Sequence, residues 1–317
     1  MITQKQKQIA KQFYIGFCCI ICILTMGYIA LGYAFCQVAF SSAFVITMEP
    51  PFEQPDFPKL EETEWLINES GRQAVELVSY DGATVTGWEI LQPEYTNQWV
   101  ITIHGYRGTS EDMSYYAKTF YDAGFNVLMP NLRGHSGSGG EYIRMGWYDR
   151  LDIVQWIQGL VAQDAQCKIV LHGVSMGAAT VMMTTGETLP SNVKVAIEDC
   201  GYTSVYDQFA YILEEFGSIP ARPIMDIAIM FAKRFTGFNI TEASCIQQLQ
   251  KSKTPTLFIH GTEDDFVPFT MLEQLYNANP TLPKAKLIVE GAAHAYAATV
   301  NPTAYWNAVF GMIDKYM

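Results

Sequence analysis

Ile169-Val-Leu-His-Gly-Val-Ser-Met-Gly-Ala-Ala-Thr180 joins two kinds of chain within a dozen residues, and that join decides the fold. Its first half, Lys168 to Leu171, is a β-branched apolar run of the length of a buried strand. Its second half, Gly177 to Thr185, is small and helix-tolerant. Between them stands Gly173-Val174-Ser175-Met176-Gly177, a G-x-S-x-G turn. A serine at the tip of a sharp strand-to-helix turn is held in strained backbone geometry. Glycines two residues before and after it remove the Cβ atoms that would collide there. The hydroxyl then projects above the sheet. The N–H of Met176 points into the same space from a helix N-terminus, where negative charge is stabilised.

The rest of the chain supplies strands and helices in the order such a turn needs. Gln73 to Ser79 and Thr84 to Leu91 flank an Asp81-Gly82 turn and read as a hairpin. Trp99 to Ile103 is a strand, and Ser110 can cap a helix that Gly124 closes. Asn126 to Met129 is a strand and Tyr148 to Val161 a helix. Val193 to Ile197 is the next strand. Thr203 to Gln250 breaks the alternation, since it is aromatic- and Met-rich and offers helices without a strand. Thr256 to Ile259, a helix near Met271 to Asn277, Lys286 to Val289 and a last helix from Thr303 to Tyr316 resume it. Strands alternating with helices after a hairpin imply a mostly parallel sheet covered on both faces. In such α/β sheets the ligand crevice lies beyond the carboxyl ends of the strands.

Upstream of all this, residues 1–12 are polar and carry Lys5, Lys7 and Lys11. Gln12 to Met48 carries no charge, and Phe13 to Cys36 is almost wholly apolar. That run exceeds the ~20 residues needed to span a bilayer core. The preceding lysines orient it with the N-terminus cytoplasmic and the rest outside. We read residues 13–36 as a single-pass signal anchor, with secretion after cleavage near Ala39 to Ala43 as the alternative. Residues 37–69 form a tether and lead-in. Within them the Pro-rich Met48 to Pro58 is extended and Thr63 to Ser70 is a short helix. The domain proper is 70–317.

The formal net charge of −12 argues against nucleic acid as a partner, because phosphate binding needs clustered Lys and Arg. Cys167, Cys200 and Cys245 are odd in number and in no C-x-x-C pairing, so no zinc site is expected, though one disulfide among them stays open. No dinucleotide or P-loop spacing occurs. Neither metal nor organic cofactor is called for.

Serine is a weak nucleophile that needs a base, and the base needs an orienting acid. Of five histidines, His104, His172 and His260 each end a strand before a glycine, a position that suits packing. His135 lies in a Gly/Ser-rich loop and is expected to brace that loop against the nucleophile turn. His294, in Glu290-Gly-Ala-Ala-His-Ala-Tyr-Ala297 just after the last strand, is the candidate base. Asp264, in His260-Gly-Thr-Glu-Asp-Asp-Phe-Val-Pro268, is the candidate acid, with Asp199 as its rival.

Ser175, Asp264 and His294 occur in the order nucleophile, acid, base, and in this the chain resembles the α/β-hydrolase superfamily. HGYRG (104–108), NLRGHSGSGG (131–140), GVSMG (173–177) and HGTEDDFVP (260–268) are similar to its serine-aminopeptidase-like branch. That branch also holds monoglyceride-lipase-like and membrane-anchored bacterial enzymes. The resemblance covers about residues 70–317 and is weak over 203–250. It implies an eight-stranded, mostly parallel sheet with a small helical cap at about 203–250. It also implies oxyanion donors at the backbone N–H groups of Tyr106 and Met176. The HGYRG motif departs from the HGGG form of many lipases. The implied activity is hydrolysis of a carboxylic ester, or a related acyl bond, through an acyl-enzyme. A peptidase or amidase of the same fold is the alternative, with Glu214, Glu215 and Asp226 as candidate amine-binding carboxylates. A surface-anchored binding protein without turnover is the third reading. The partners implied are a small acyl substrate and the bilayer.

Overall fold

The structure, a computed structural model, describes residues 4–42, 60–215 and 220–317. The expected tether at Met48 to Pro58 falls outside these residues.

The strands are β1 (Gln73–Val78), β2 (Thr84–Ile90), β3 (Gln98–Ile103), β4 (Asn126–Pro130), β5 (Lys168–Val174), β6 (Val193–Asp199), β7 (Thr256–Gly261) and β8 (Lys284–Val289). They form one eight-stranded sheet in the order β1-β2-β4-β3-β5-β6-β7-β8. β2 runs antiparallel to both β1 and β4, and every other pairing is parallel. This is the α/β architecture the resemblance implies. Lys284 and Ala285 also pair with β7, so β8 starts earlier than the sequence suggests.

The two-residue period of the pleat sorts the core into two layers. Trp99, Ile101, Ile103, Ile169 and Leu171 face one cluster, and Val100, Val127, Met129 and Val170 face the other. On the first face lie α4 (Asp149–Gln163), α5 (Met176–Thr185) and α9 (Thr270–Ala278). The second is covered by α2 (Leu60–Asn68), α3 (Ser114–Asp122), the short α10 (Ala297–Val300) and α11 (Pro302–Tyr316). Every residue of α5 is buried, as its small and apolar composition allows. The N-terminal signal ahead of α3 differs from the expectation. Thr109, not Ser110, opens that turn, with its N–H donating to Asp112 Oδ2 (2.7 Å). The Ser110 N–H instead donates to Asn131 Oδ1, tying the turn to the loop after β4.

Between β6 and β7 the chain leaves the sheet to form α6 (Val205–Glu215), α7 (Ala221–Thr236), a 3₁₀ turn at Ile240–Glu242 and the short α8 (Cys245–Leu249). Ahead of the sheet, α1 (Gln4–Phe40) is a single helix long and apolar enough to cross a membrane. Most of it is exposed, but Gly32, Cys36, Ala39 and Phe40 are buried against the rest of the protein. All seven cysteines are free.

Candidate active site

Ser175 occupies the join between β5 and α5 at φ 58°, ψ −117°, a conformation an L-residue adopts only under constraint. The neighbouring glycines explain the constraint. A Cβ on Gly173 would lie 2.4 Å from the Gly177 carbonyl carbon, and one on Gly177 only 2.0 Å from the Ile103 oxygen. Any side chain there would push α5 off the sheet. The Ser175 N–H donates to the Asp199 carbonyl (2.8 Å), which fixes the turn against β6.

Three loops, after β5, β7 and β8, converge on this hydroxyl. His294 Nε2 lies 2.9 Å from Ser175 Oγ, and its Nδ1 lies 2.8 Å from Asp264 Oδ2. Thus the serine O–H faces one ring nitrogen while the other donates to the carboxylate. The loop carrying His294 turns at Ala295 (φ 64°) among small residues, which lets the imidazole reach over the sheet. Phe266 covers one side of the ring, with centroids 5.0 Å apart.

Asp264 is buried, and burial alone would raise its pKa. Hydrogen bonds from His260 and His294 outweigh that and hold it down to about 2. Its other oxygen accepts from the Phe266 and Val267 N–H groups at 3.1 and 2.8 Å. His260 therefore does more than fill space. Its Nε2 sits 3.2 Å from Asp264 Oδ2 and 2.9 Å from the Val267 oxygen, securing the carboxylate from below. Sequence reasoning passed over this role, although the closeness of His260 and Asp264 within one motif was its signal. Asp199, the rival acid, is fully buried at the end of β6 and is pushed up to about 6 by burial. The imidazole hydrogen-bonds Asp264, not Asp199. Asp265 is exposed.

The loop after β3 lies directly over the serine. A Cβ on Gly105 would come 3.4 Å from Ser175 Cβ, so the main chain leading into Tyr106 passes at contact distance. Met176 follows the serine at the first position of α5. The loop is held open by two neutral histidines. His104 Nε2 accepts from the Leu132 N–H (3.0 Å) and its Nδ1–H donates to the Gly105 oxygen (2.8 Å). His135 Nε2 accepts from the N–H of Arg107, a residue at φ 64°, and its Nδ1–H donates to the Arg133 oxygen. This corrects the expectation for His135, which braces the Tyr106 loop instead of the nucleophile turn. Burial lowers the two rings to about 3 and about 4, so both stay neutral. Arg133 secures the loop that carries His135 through Asp152 (2.6 Å) and Asp81 (2.5 Å). His172 lies away from the serine, bonded to Thr102 and Tyr305.

Cys200, Asp264 and His294 place ligand atoms within 4.8 Å of one another. Burial raises the Cys200 thiol well above its ordinary value, and Asp199 and Asp264 add to the effect, so it stays protonated and makes a poor metal ligand.

Among known proteins, the sequence model of the prolyl oligopeptidase family matches residues 111–296. The uncharacterized Bacillus subtilis protein YqkD is 30% identical over 235 residues, which is 74% of this chain and 76% of YqkD. The Pyrococcus furiosus esterase Pf2001 superposes with a TM-score of 0.62 at 22% identity, over 78% of this chain and 91% of the esterase. Pyrococcus horikoshii acylaminoacyl peptidase superposes with a TM-score of 0.57 at 18% identity, over 77% of this chain and 41% of the peptidase.

Proposed function

This chain belongs to the prolyl oligopeptidase family, within the serine hydrolases of α/β-hydrolase fold, and from that premise we propose that it cleaves carboxylic esters through an acyl-enzyme. The observation that carries the reading is the imidazole of His294 standing between Ser175 Oγ and Asp264 Oδ2. In the proposed reaction His294 Nε2 takes the serine proton as Oγ attacks the acyl carbon. Asp264, ionised at any ordinary pH, stabilises the imidazolium that forms. The N–H groups of Tyr106 and Met176 receive the oxyanion, each contributing ~3 kcal/mol to lowering the barrier. His294 then returns the proton to the leaving group and activates water for deacylation.

One observation favours esters over peptides: Glu214, Glu215 and Asp226, the carboxylates that would hold a substrate amine, are all exposed on the cap helices. The four motifs support the narrower placement in the serine-aminopeptidase-like branch. The length and apolarity of α1 support a single-pass anchor with the catalytic domain outside the cytoplasm, and the burial of Cys36, Ala39 and Phe40 favours its retention.

The test is the full chain in detergent, assayed on p-nitrophenyl butyrate and on aminoacyl aminomethylcoumarins, with Ser175→Ala as blank. Serine-dependent cleavage of the ester at the higher kcat/KM is expected. Release of aminomethylcoumarin without esterase activity would reverse the assignment to a peptidase. Failure of a fluorophosphonate to label Ser175 in folded protein would remove the enzyme reading altogether.

A further inference from the structure

The C-terminal end of α1 is docked against residues that flank the serine site. At 1.5 Å per residue, a helix of this length runs ~55 Å, while a bilayer core is ~30 Å thick. The surplus divides between the polar residues 4–12 and the C-terminal end, and at the C-terminal end the character of the helix changes. From Phe13 to Leu31 its large apolar side chains are exposed: Phe13, Phe17, Ile20, Leu24 and Met26 are each more than half exposed. From Gly32 onward the helix enters the protein, with Cys36, Ala39 and Phe40 buried. The exposed span from Phe13 to Leu31 therefore matches the length of a bilayer core, and docking begins at Gly32, where that span ends.

The docked end reaches both sides of the site. On one side the Tyr106 hydroxyl donates to the Ala39 carbonyl (2.9 Å), and Tyr106 directly follows Gly105, whose main chain passes at contact distance over Ser175. On the other, Phe35 and Phe40 pack edge-on against Phe209 of α6, at 5.4 and 5.3 Å between centroids. The adjacent Gln208 donates to the Phe266 oxygen (2.7 Å), and Phe266 lies against the His294 ring. From Gly32 to Ala39 is only ~10 Å along the helix axis.

Helix α7 extends this surface sideways. Its Ile227 meets Gly32, where an added Cβ would lie 2.5 Å from Ile227 Cγ2, and Phe231 and Phe235 pack on Tyr33. Its outward face carries Arg222, Asp226, Met230, Lys233 and Arg234, a net positive strip on a chain of charge −12. Met230 and the flanking Phe235 are 55% and 45% exposed. Basic residues beside exposed apolar ones suit an anionic lipid surface.

We propose that α1 and α7 seat the serine site on the bilayer surface, and that its substrate is an acyl ester of an amphiphile resident in that bilayer. The proposal rests on the ester-hydrolase reading and adds the source and class of the substrate. The carbonyl of such a molecule needs to rise only about 10 Å above the hydrocarbon edge to reach the Tyr106 loop.

The experiment uses the full chain reconstituted in phosphatidylcholine–phosphatidylglycerol vesicles, with two probes. One is p-nitrophenyl butyrate in the aqueous phase, the other p-nitrophenyl palmitate dissolved in the same vesicles. The palmitate ester is expected to be the better substrate. Met230→Glu combined with Lys233→Glu should slow it about tenfold and leave the butyrate rate unchanged. Arg234→Glu alone, at an exposed position, should act in the same direction if the double variant is poorly folded. Rapid butyrate cleavage with the palmitate ester ignored, or equal losses on both probes, would overturn the membrane-substrate proposal while sparing the hydrolase reading. Cleavage of neither ester, with no fluorophosphonate labelling of Ser175, would remove the hydrolase reading itself.

Discussion

Asp264 carries the sharpest prediction, because its partners fix both its charge and its direction. Asp264→Asn keeps the shape but loses the charge that supports the imidazolium and favours the correct tautomer. It should lower kcat about 10⁴-fold on p-nitrophenyl butyrate. Glu198 gives a test of a different kind. Burial, only partly offset by His260 and the Gly201 N–H, pushes its carboxyl up to about 8 from an ordinary value of 4.5. The folded state thus holds a proton that the unfolded chain releases, so this group weakens stability as pH rises from about 4.5 through 8. Relative to wild type, Glu198→Gln should raise Tm by about 2–4 °C per kcal/mol recovered at pH 8, with that difference shrinking toward pH 5. Melting curves at the two pH values decide it. Ser175, Asp264 and His294 were legible in the sequence because chain order and small-residue loops mark strand ends. The histidines at 104, 135 and 260 were not fully legible. Which loop backbone each one reaches depends on strand order, which no local pattern encodes.

The turn between β5 and α5 is the element on which the geometry depends. Alanine normally favours a helix over glycine by about 1 kcal/mol, so Gly177→Ala would ordinarily stabilise α5. Here the new Cβ would meet the Ile103 carbonyl, a backbone atom that cannot swing aside. The clash should win, with a net loss of about 1–3 kcal/mol. Displacing the first turn of α5 also moves the Met176 N–H, so kcat should fall in the same variant. A Tm equal to or above that of wild type would contradict this account. Strand and helix types were readable from periodicity throughout the α/β part. Most boundaries moved by a residue or two, and ahead of α3 the cap falls on Thr109, which opens a 3₁₀ turn at Ser110–Met113, while Asn131 accepts the Ser110 N–H.

At the scale of the whole molecule, the apolar N-terminal helix and the catalytic domain are one packed body where they meet. Phe40 is fully buried among Phe209 and Phe238, and its carbonyl accepts from the Ile143 N–H. Phe40→Ala should therefore destabilise the domain by about 3–5 kcal/mol, although position 40 lies far from the sheet in sequence. Thermal denaturation of full-length protein in detergent measures it. An unchanged Tm would mean that the helix end is not part of the core. This docking was invisible in the sequence, because a segment apolar on every side has no stripe to show which part of it packs against the domain. The bond from the Tyr106 hydroxyl to the Ala39 carbonyl then has a biological corollary. A protease that cut the chain after α1 and discarded the helix would leave Phe209 uncovered and slacken the loop above Ser175. The trimmed protein should lose activity together with its helix.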